Sequence, residues 1–187
     1  MLSLALTSGI AAAGITYDES LDGDLSSDPN APTALAFELG ANTVSGTVTL
    51  SNQPTGDRDY ITFEVGAGQR LSALFLRAYA PDDLGFAAFN AGATSFIPDG
   101  STDANFLSGI LPGASQVGTD LMPAFVSDAV TTNSLANPWL DAGVYSFVIQ
   151  QTSPAMQAYT LEFVITPAPA TGSLLCLGAL GLARRRR

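Results

Sequence analysis

A two-residue rhythm constrains this chain more than any other feature. Tyr60-Ile61-Thr62-Phe63-Glu64-Val65 sets Ile61, Phe63 and Val65 on one side of an extended backbone and Tyr60, Thr62 and Glu64 on the other. Tyr159 to Ile165 repeats the pattern with four apolar residues facing one way. Successive side chains of a strand point to opposite faces, so this period marks half-buried antiparallel strands. Val44 to Leu50, Leu71 to Tyr79 and Val144 to Gln150 qualify as well, and Thr33 to Leu39 is a weaker candidate. Gly66-Ala67-Gly68, Asp141-Ala142-Gly143 and Ser153-Pro154 supply turns. Ten-residue helical patterns are hard to find. A lone sheet leaves its apolar face in water, so the strands predict an all-β, antiparallel two-sheet sandwich.

The stretch from about Ala91 to Pro138 breaks the rhythm. It is rich in Gly, Ser, Thr, Asn and Pro, with Phe96, Phe106, Leu111, Met122 and Phe125 scattered through it and Trp139 just beyond. A structureless loop of that length is uncommon in a compact domain. One or two short strands, or a brief helix near Asp120 to Val126, are expected, with long loops at one end of the sandwich. Ser95 to Gly113 is the expected ligand-facing region, because loops on a rigid sandwich carry function; a decorative loop is the alternative.

Composition removes whole classes of chemistry. The 187 residues suffice for one ordinary domain with short terminal segments. Histidine is absent, which excludes a His-based triad and His-ligated zinc. Cys176 is the only cysteine, so an internal disulfide and a thiolate metal cluster are excluded too. All 17 carboxylates lie between Asp18 and Glu162, where only Arg58, Arg70 and Arg77 oppose them, leaving that region at −14. Such a surface repels nucleic acid and suits divalent cations or plain solubility. Arg58 and Arg70 are expected to pair with nearby carboxylates. Tyr17, Tyr79 and Trp139 are aromatics that either stack sugars or belong to the core.

Both ends read as addresses. Residues 1–13, MLSLALTSGIAAA, form an apolar run whose Ala11 and Ala13 give an A-x-A cleavage pattern, without a basic leading region. This reads as a truncated secretory signal peptide, the alternative being a frayed apolar terminus. Residues 14–166 hold the sandwich domain. From 167 onward come Pro167-Ala168-Pro169-Ala170-Thr171, an apolar stretch from about Gly172 to Ala183, and Arg184, Arg185, Arg186 and Arg187. A short C-terminal hydrophobic helix is expected there. Twelve helical residues cover ~18 Å against a hydrocarbon core of ~30 Å, so only a thin or transient span is physical. The arginines would stop transfer and stay cytoplasmic, leaving the acidic domain outside.

This order of a short proline motif, a Leu/Gly/Ala-rich segment and an arginine cluster resembles the PEP-CTERM sorting signal of exopolysaccharide-producing bacteria. Ala168 stands where that family usually has glutamate. The resemblance implies export across the inner membrane, cleavage near the motif by an exosortase-type transpeptidase, and delivery to the cell surface or exopolysaccharide matrix. A second resemblance covers the middle. The strand from Gly46, the Asp57-Arg58-Asp59-Tyr60 strand start, the Gly68-Gln69 turn and Asp141-Ala142-Gly143-Val144-Tyr145 are similar to the bacterial pre-peptidase C-terminal domain. That family implies a jelly-roll-like sandwich on secreted proteins, some members of which bind polymers, often with calcium.

The acidic segment Asp18-Glu19-Ser20-Leu21-Asp22-Gly23-Asp24-Leu25-Ser26-Ser27-Asp28 packs five carboxylates into eleven residues. Read as an EF-hand it fails, because Pro29 occupies the place of the bidentate glutamate and flanking helices are not evident. A calcium site of another kind fits, with Asp18, Glu19, Asp22 and Asp24 joined by Asp57 and Asp59 from a strand start; a solvated acidic linker is the alternative. The function these features predict is that of an exported, non-catalytic surface or matrix protein, calcium- and glycan-binding. A carboxylate-based glycoside hydrolase or lyase and a permanently anchored envelope protein are the competing readings.

Overall fold

A computed structural model describes residues 14–49, 56–81, 84–94, 106–152 and 155–169. The long alternating segments form strands where their period places them. In chain order the elements are β1 (Thr16–Asp18), α1 (Glu19–Asp22), β2 (Thr33–Ala34), β3 (Gly40–Val48), β4 (Arg58–Val65) and β5 (Gln69–Ala80). β6 (Gly85–Ala91), β7 (Ser108–Ile110), α2 (Ala124–Ser127), β8 (Gly143–Gln151) and β9 (Gln157–Pro167) follow. One sheet has the order β1-β3-β9-β5 and the other β2-β4-β8-β6-β7.

The two sheets pack as a sandwich because their inward faces are aromatic. Phe163 of β9 meets Phe147 of β8 at 5.4 Å between ring centres and Phe63 of β4 at 5.7 Å. Phe89 of β6 lies 4.9 Å from Phe147 and 4.8 Å from Phe125 of α2. Tilted and edge-on contacts of this kind add to the burial of large apolar side chains. A smaller cluster of Tyr60, Ala88, Phe106 and Val148 covers the outer face of the second sheet.

Strand direction departs from the all-antiparallel arrangement. β1 runs parallel to β3, and β2 runs parallel to β4, so both sheets are mixed. The remaining pairs are antiparallel. The parallel pairs arise because one segment, residues 14–35, lays three residues along the edge of the first sheet and then two along the edge of the second. Alternation carries no information on direction, and strands this short carry little alternation. The weaker candidate Thr33 to Leu39 is a strand only at Thr33–Ala34. Beyond it Phe37 leaves the edge and packs on Phe63 and Phe163, 4.9 Å from each.

The opposite side is closed by residues 106–140. Their β7 pairs with β6, and backbone bonds join Leu71 to Leu140 and Leu74 to Leu121 along the edge of β5. α2 is the brief helix expected near Asp120 to Val126. Of the expected ligand-facing region, residues 106–113 are described, and Phe106, Ser108 and Ile110 are buried; residues 95–105 lie outside the described residues. Tyr79 belongs to the core. The expected C-terminal helix, Ala170 and Arg184 to Arg187 also lie outside the described residues. Among the described residues, no helix is long and apolar enough to cross a membrane.

Candidate metal centre

The acidic segment folds first upon itself. Asp18 caps α1, its Oδ1 accepting from the Ser20 amide at 2.9 Å and the Ser20 hydroxyl at 2.7 Å. Asp22 accepts from the Asp18 amide at 2.8 Å. Gly23 then turns the chain at φ +100°, a backbone angle that favours glycine, and its carbonyl accepts from the Tyr17 hydroxyl. Asp18 and Asp22 are thus committed to the turn. The serine bonds hold the Asp18 carboxyl below its ordinary value.

The same turn sends Glu19 inward against β3. Its Oε2 accepts from the Thr47 amide at 2.7 Å and its Oε1 from the Leu25 amide at 3.0 Å. Gly46 makes this approach possible. A Cβ there would lie 2.6 Å from the Glu19 carboxyl carbon and 2.8 Å from the Tyr159 hydroxyl. Leu25, 1% exposed, anchors the segment where it passes over the sandwich. Asp24, beside it, stays exposed.

Asp59 comes from the interior. It stands two residues before Ile61 in β4, on the inward face, and is 1% exposed. Its Oδ2 accepts from the Tyr159 hydroxyl of β9 at 2.6 Å. Its Oδ1 is buried and has no hydrogen-bond partner. One oxygen each from Glu19, Asp24 and Asp59 lies within 4.8 Å of the others. Asp57 sits nearby, its Oδ1 accepting from the Ser27 hydroxyl at 2.7 Å. Of the six carboxylates singled out in the sequence, three converge, Asp57 flanks them, and Asp18 and Asp22 shape the turn.

The electrostatics follow from burial and crowding. Asp59 is pushed up to about 9, first by burial, against the opposing hydrogen bond from Tyr159, and further by Glu19, Asp57 and Asp24. Glu19 and Asp57 are both raised, chiefly by burial. Burial and the Asp59 charge lift the Tyr159 phenol well above its ordinary value. Crowded carboxylates with an unpaired buried oxygen are a costly arrangement unless a proton or a cation offsets the charge.

The donors suit a hard cation. Oxygens bound to one calcium ion at 2.3–2.6 Å are separated by at most about 5 Å, and this set falls within that spread. Asp18, Glu19, Asp24, Gly46, Thr47 and Tyr159 are among the residues lining an open cleft of about 530 Å³ at the same place. A cation would find room there for water ligands, and calcium tolerates such an irregular shell better than magnesium.

Tyr159 and Gly46 take part in this arrangement, and the acidic pattern alone does not reveal them. The signal for Asp59 was present: it is in phase with Ile61, Phe63 and Val65. Arg77 makes a two-pronged pair with a carboxylate, Glu162, at 2.6 and 3.1 Å. Arg70 instead lies over the Trp139 ring at 4.8 Å. In comparisons with known proteins, no family model, no curated protein and no solved structure matches the chain.

Proposed function

We propose that this is an exported, non-catalytic calcium-binding protein of the cell surface or exopolysaccharide matrix. Its central sandwich acts as a jelly-roll-like module of the pre-peptidase C-terminal kind. Glu19, Asp24 and Asp59 hold the ion, and Asp57 adds negative charge beside them. The observation that carries the calcium reading is Asp59, which has a buried, partnerless Oδ1 and a carboxylate oxygen within 4.8 Å of one from Glu19 and one from Asp24. A divalent cation offsets the mutual repulsion of the three carboxylates.

Export rests on the sequence of the two ends. The Pro167-Ala168-Pro169-Ala170 motif, the apolar segment and Arg184 to Arg187 address the chain to the inner membrane and an exosortase-type transpeptidase, which delivers it to the matrix. Exopolysaccharide is the polymer the domain meets there. Titration calorimetry of the chelator-treated full chain with calcium chloride tests the metal reading: saturable heat and a raised Tm support it, and neither appearing overturns it. Fractionation of producing cells with mass spectrometry of the mature C terminus tests the address; an unprocessed chain in the cytoplasm refutes it.

A further inference from the structure

We infer that the end of the sandwich from which the C-terminal tail departs is a membrane-seating face, which holds the acidic cation site away from the lipid. The inference rests on the proposed entry of that tail into the membrane. Its structural basis is the place where the fold stops. β9 is a central strand whose last pairs are Arg70 with Thr166 and Gln69 with Pro167, and the Ala168 amide donates to the Gly68 carbonyl at 2.7 Å. The chain is therefore fixed in the sheet through the second residue of the proline motif. Three residues, and so four Cα-to-Cα steps, separate Ala168 from Gly172, where the apolar stretch begins. Fully extended they reach about 14 Å, too little to lift the domain clear of a bilayer that holds the tail.

The surface around that exit is built differently from the rest of the acidic domain. A groove of about 580 Å³ opens there, lined by Leu35, Phe37, Phe63, Gly66, Gln69 and Val144 among others. Val144, paired with Glu64 near the end of β4, is 44% exposed, and Leu39, just before the Gly40 that pairs with Ile165 of β9, is 36% exposed. Arg70, the second residue of β5, pairs with Thr166 and has its guanidinium over Trp139. An aromatic ring with an arginine is the pair that settles where hydrocarbon gives way to headgroups. Glu38, Glu64 and Asp141 are also at this end.

The larger acidic group lies at the other end of the same strands. Asp59 is six residues before Val65 in β4, a separation of about 20 Å along the strand. Tyr159, which bonds Asp59, is near the start of β9, whereas the tail leaves from its finish. With the rim on the lipid, the cluster of Glu19, Asp24, Asp57 and Asp59 lies at the end away from it, where a cation reaches its open cleft and anionic headgroups do not repel it.

The chain supplies its own probes, since Trp139 is the sole tryptophan and Cys176, in the tail, the sole cysteine. The full chain is placed in phosphatidylcholine vesicles, with Cys176 tested by a membrane-impermeant maleimide and Trp139 by lipids brominated near the headgroup. A parallel variant carries about 20 Gly/Ser residues after Pro169, giving the domain a flexible tether of about 25 Å. The expected result is a protected Cys176 in both chains, with about twofold quenching of Trp139 in the parent and none in the tethered variant. A protected Cys176 with Trp139 equally unquenched in both overturns the seating face and leaves tail insertion standing. A reactive Cys176 in the parent overturns tail insertion and the seating face together.

Discussion

The sandwich is closed on its two sides by unlike means. Residues 106–140 cover one side with apolar groups: Leu121, Met122, Phe125, Leu135 and Leu140 are all buried. A single carboxylate, Asp120, helps there by accepting from the Leu74 and Met122 amides with the same oxygen. Residues 14–35 cover the other side with two short parallel strands and two buried leucines, Leu25 and Leu35. Between those strands they bring Glu19 and Asp24 against Asp59. The first closure is held by the removal of apolar surface from water, which a cation does not affect. The second contains charge that the fold itself leaves unbalanced, so it responds to protons and cations.

The largest effect should come from the apolar side. Phe125→Ala removes a fully buried ring packed on Phe89 and should cost about 3–5 kcal/mol in denaturant unfolding, equally with and without calcium. A loss that calcium repairs would break the contrast. On the acidic side, calcium at a hundred times its Kd should add about 2.7 kcal/mol to the parent, and Asp59→Asn should abolish that gain in thermal unfolding.

Without calcium, acidity should separate the two closures. The folded-state value of Asp59, about 9, stands above the 3.8 of an ordinary aspartate that describes the unfolded chain, so between them the folded chain binds the extra proton. Its contribution to stability is fully present below pH 3.8 and is lost as pH rises toward 9. Melting curves of the chelator-treated chain should therefore fall across that window. Asp59→Asn should flatten the profile, and a parent curve that climbs with pH would contradict the burial of that carboxyl.

Gly46→Ala should act more gently, costing about 1–3 kcal/mol through crowding. Its sharper mark is a weakened calcium isotherm, because the new methyl displaces Glu19. Arg77→Ala should have the smallest effect. Its bond to Glu162 lies on the surface, and neither the melting temperature nor calcium binding should move appreciably.

How much of this was legible depended on the residue. β4 and β9 stood out because polar and apolar side chains alternate along them. β6 did not: Gly85-Phe86-Ala87-Ala88-Phe89-Asn90-Ala91 lies between β8 and β7 with apolar groups on both faces, so its rhythm is erased. The six acidic candidates were visible as a cluster, and Asp59 could have been singled out by its phase. That Asp18 and Asp22 would shape a turn while Glu19 crossed to Gly46 was not visible, because contacts across 27 residues leave no local pattern.

By itself the sequence determined the mostly-β character, the inward faces of the long strands and the excess of carboxylates, since each depends on residue type and near neighbours. Tertiary structure alone decided that β1 and β2 run parallel to their neighbours, that three of the carboxylates converge, and that Asp59 keeps one oxygen without a partner. Those outcomes depend on which distant segments meet. Burial, which sets the energy of a charge, belongs to that meeting and to no residue taken singly.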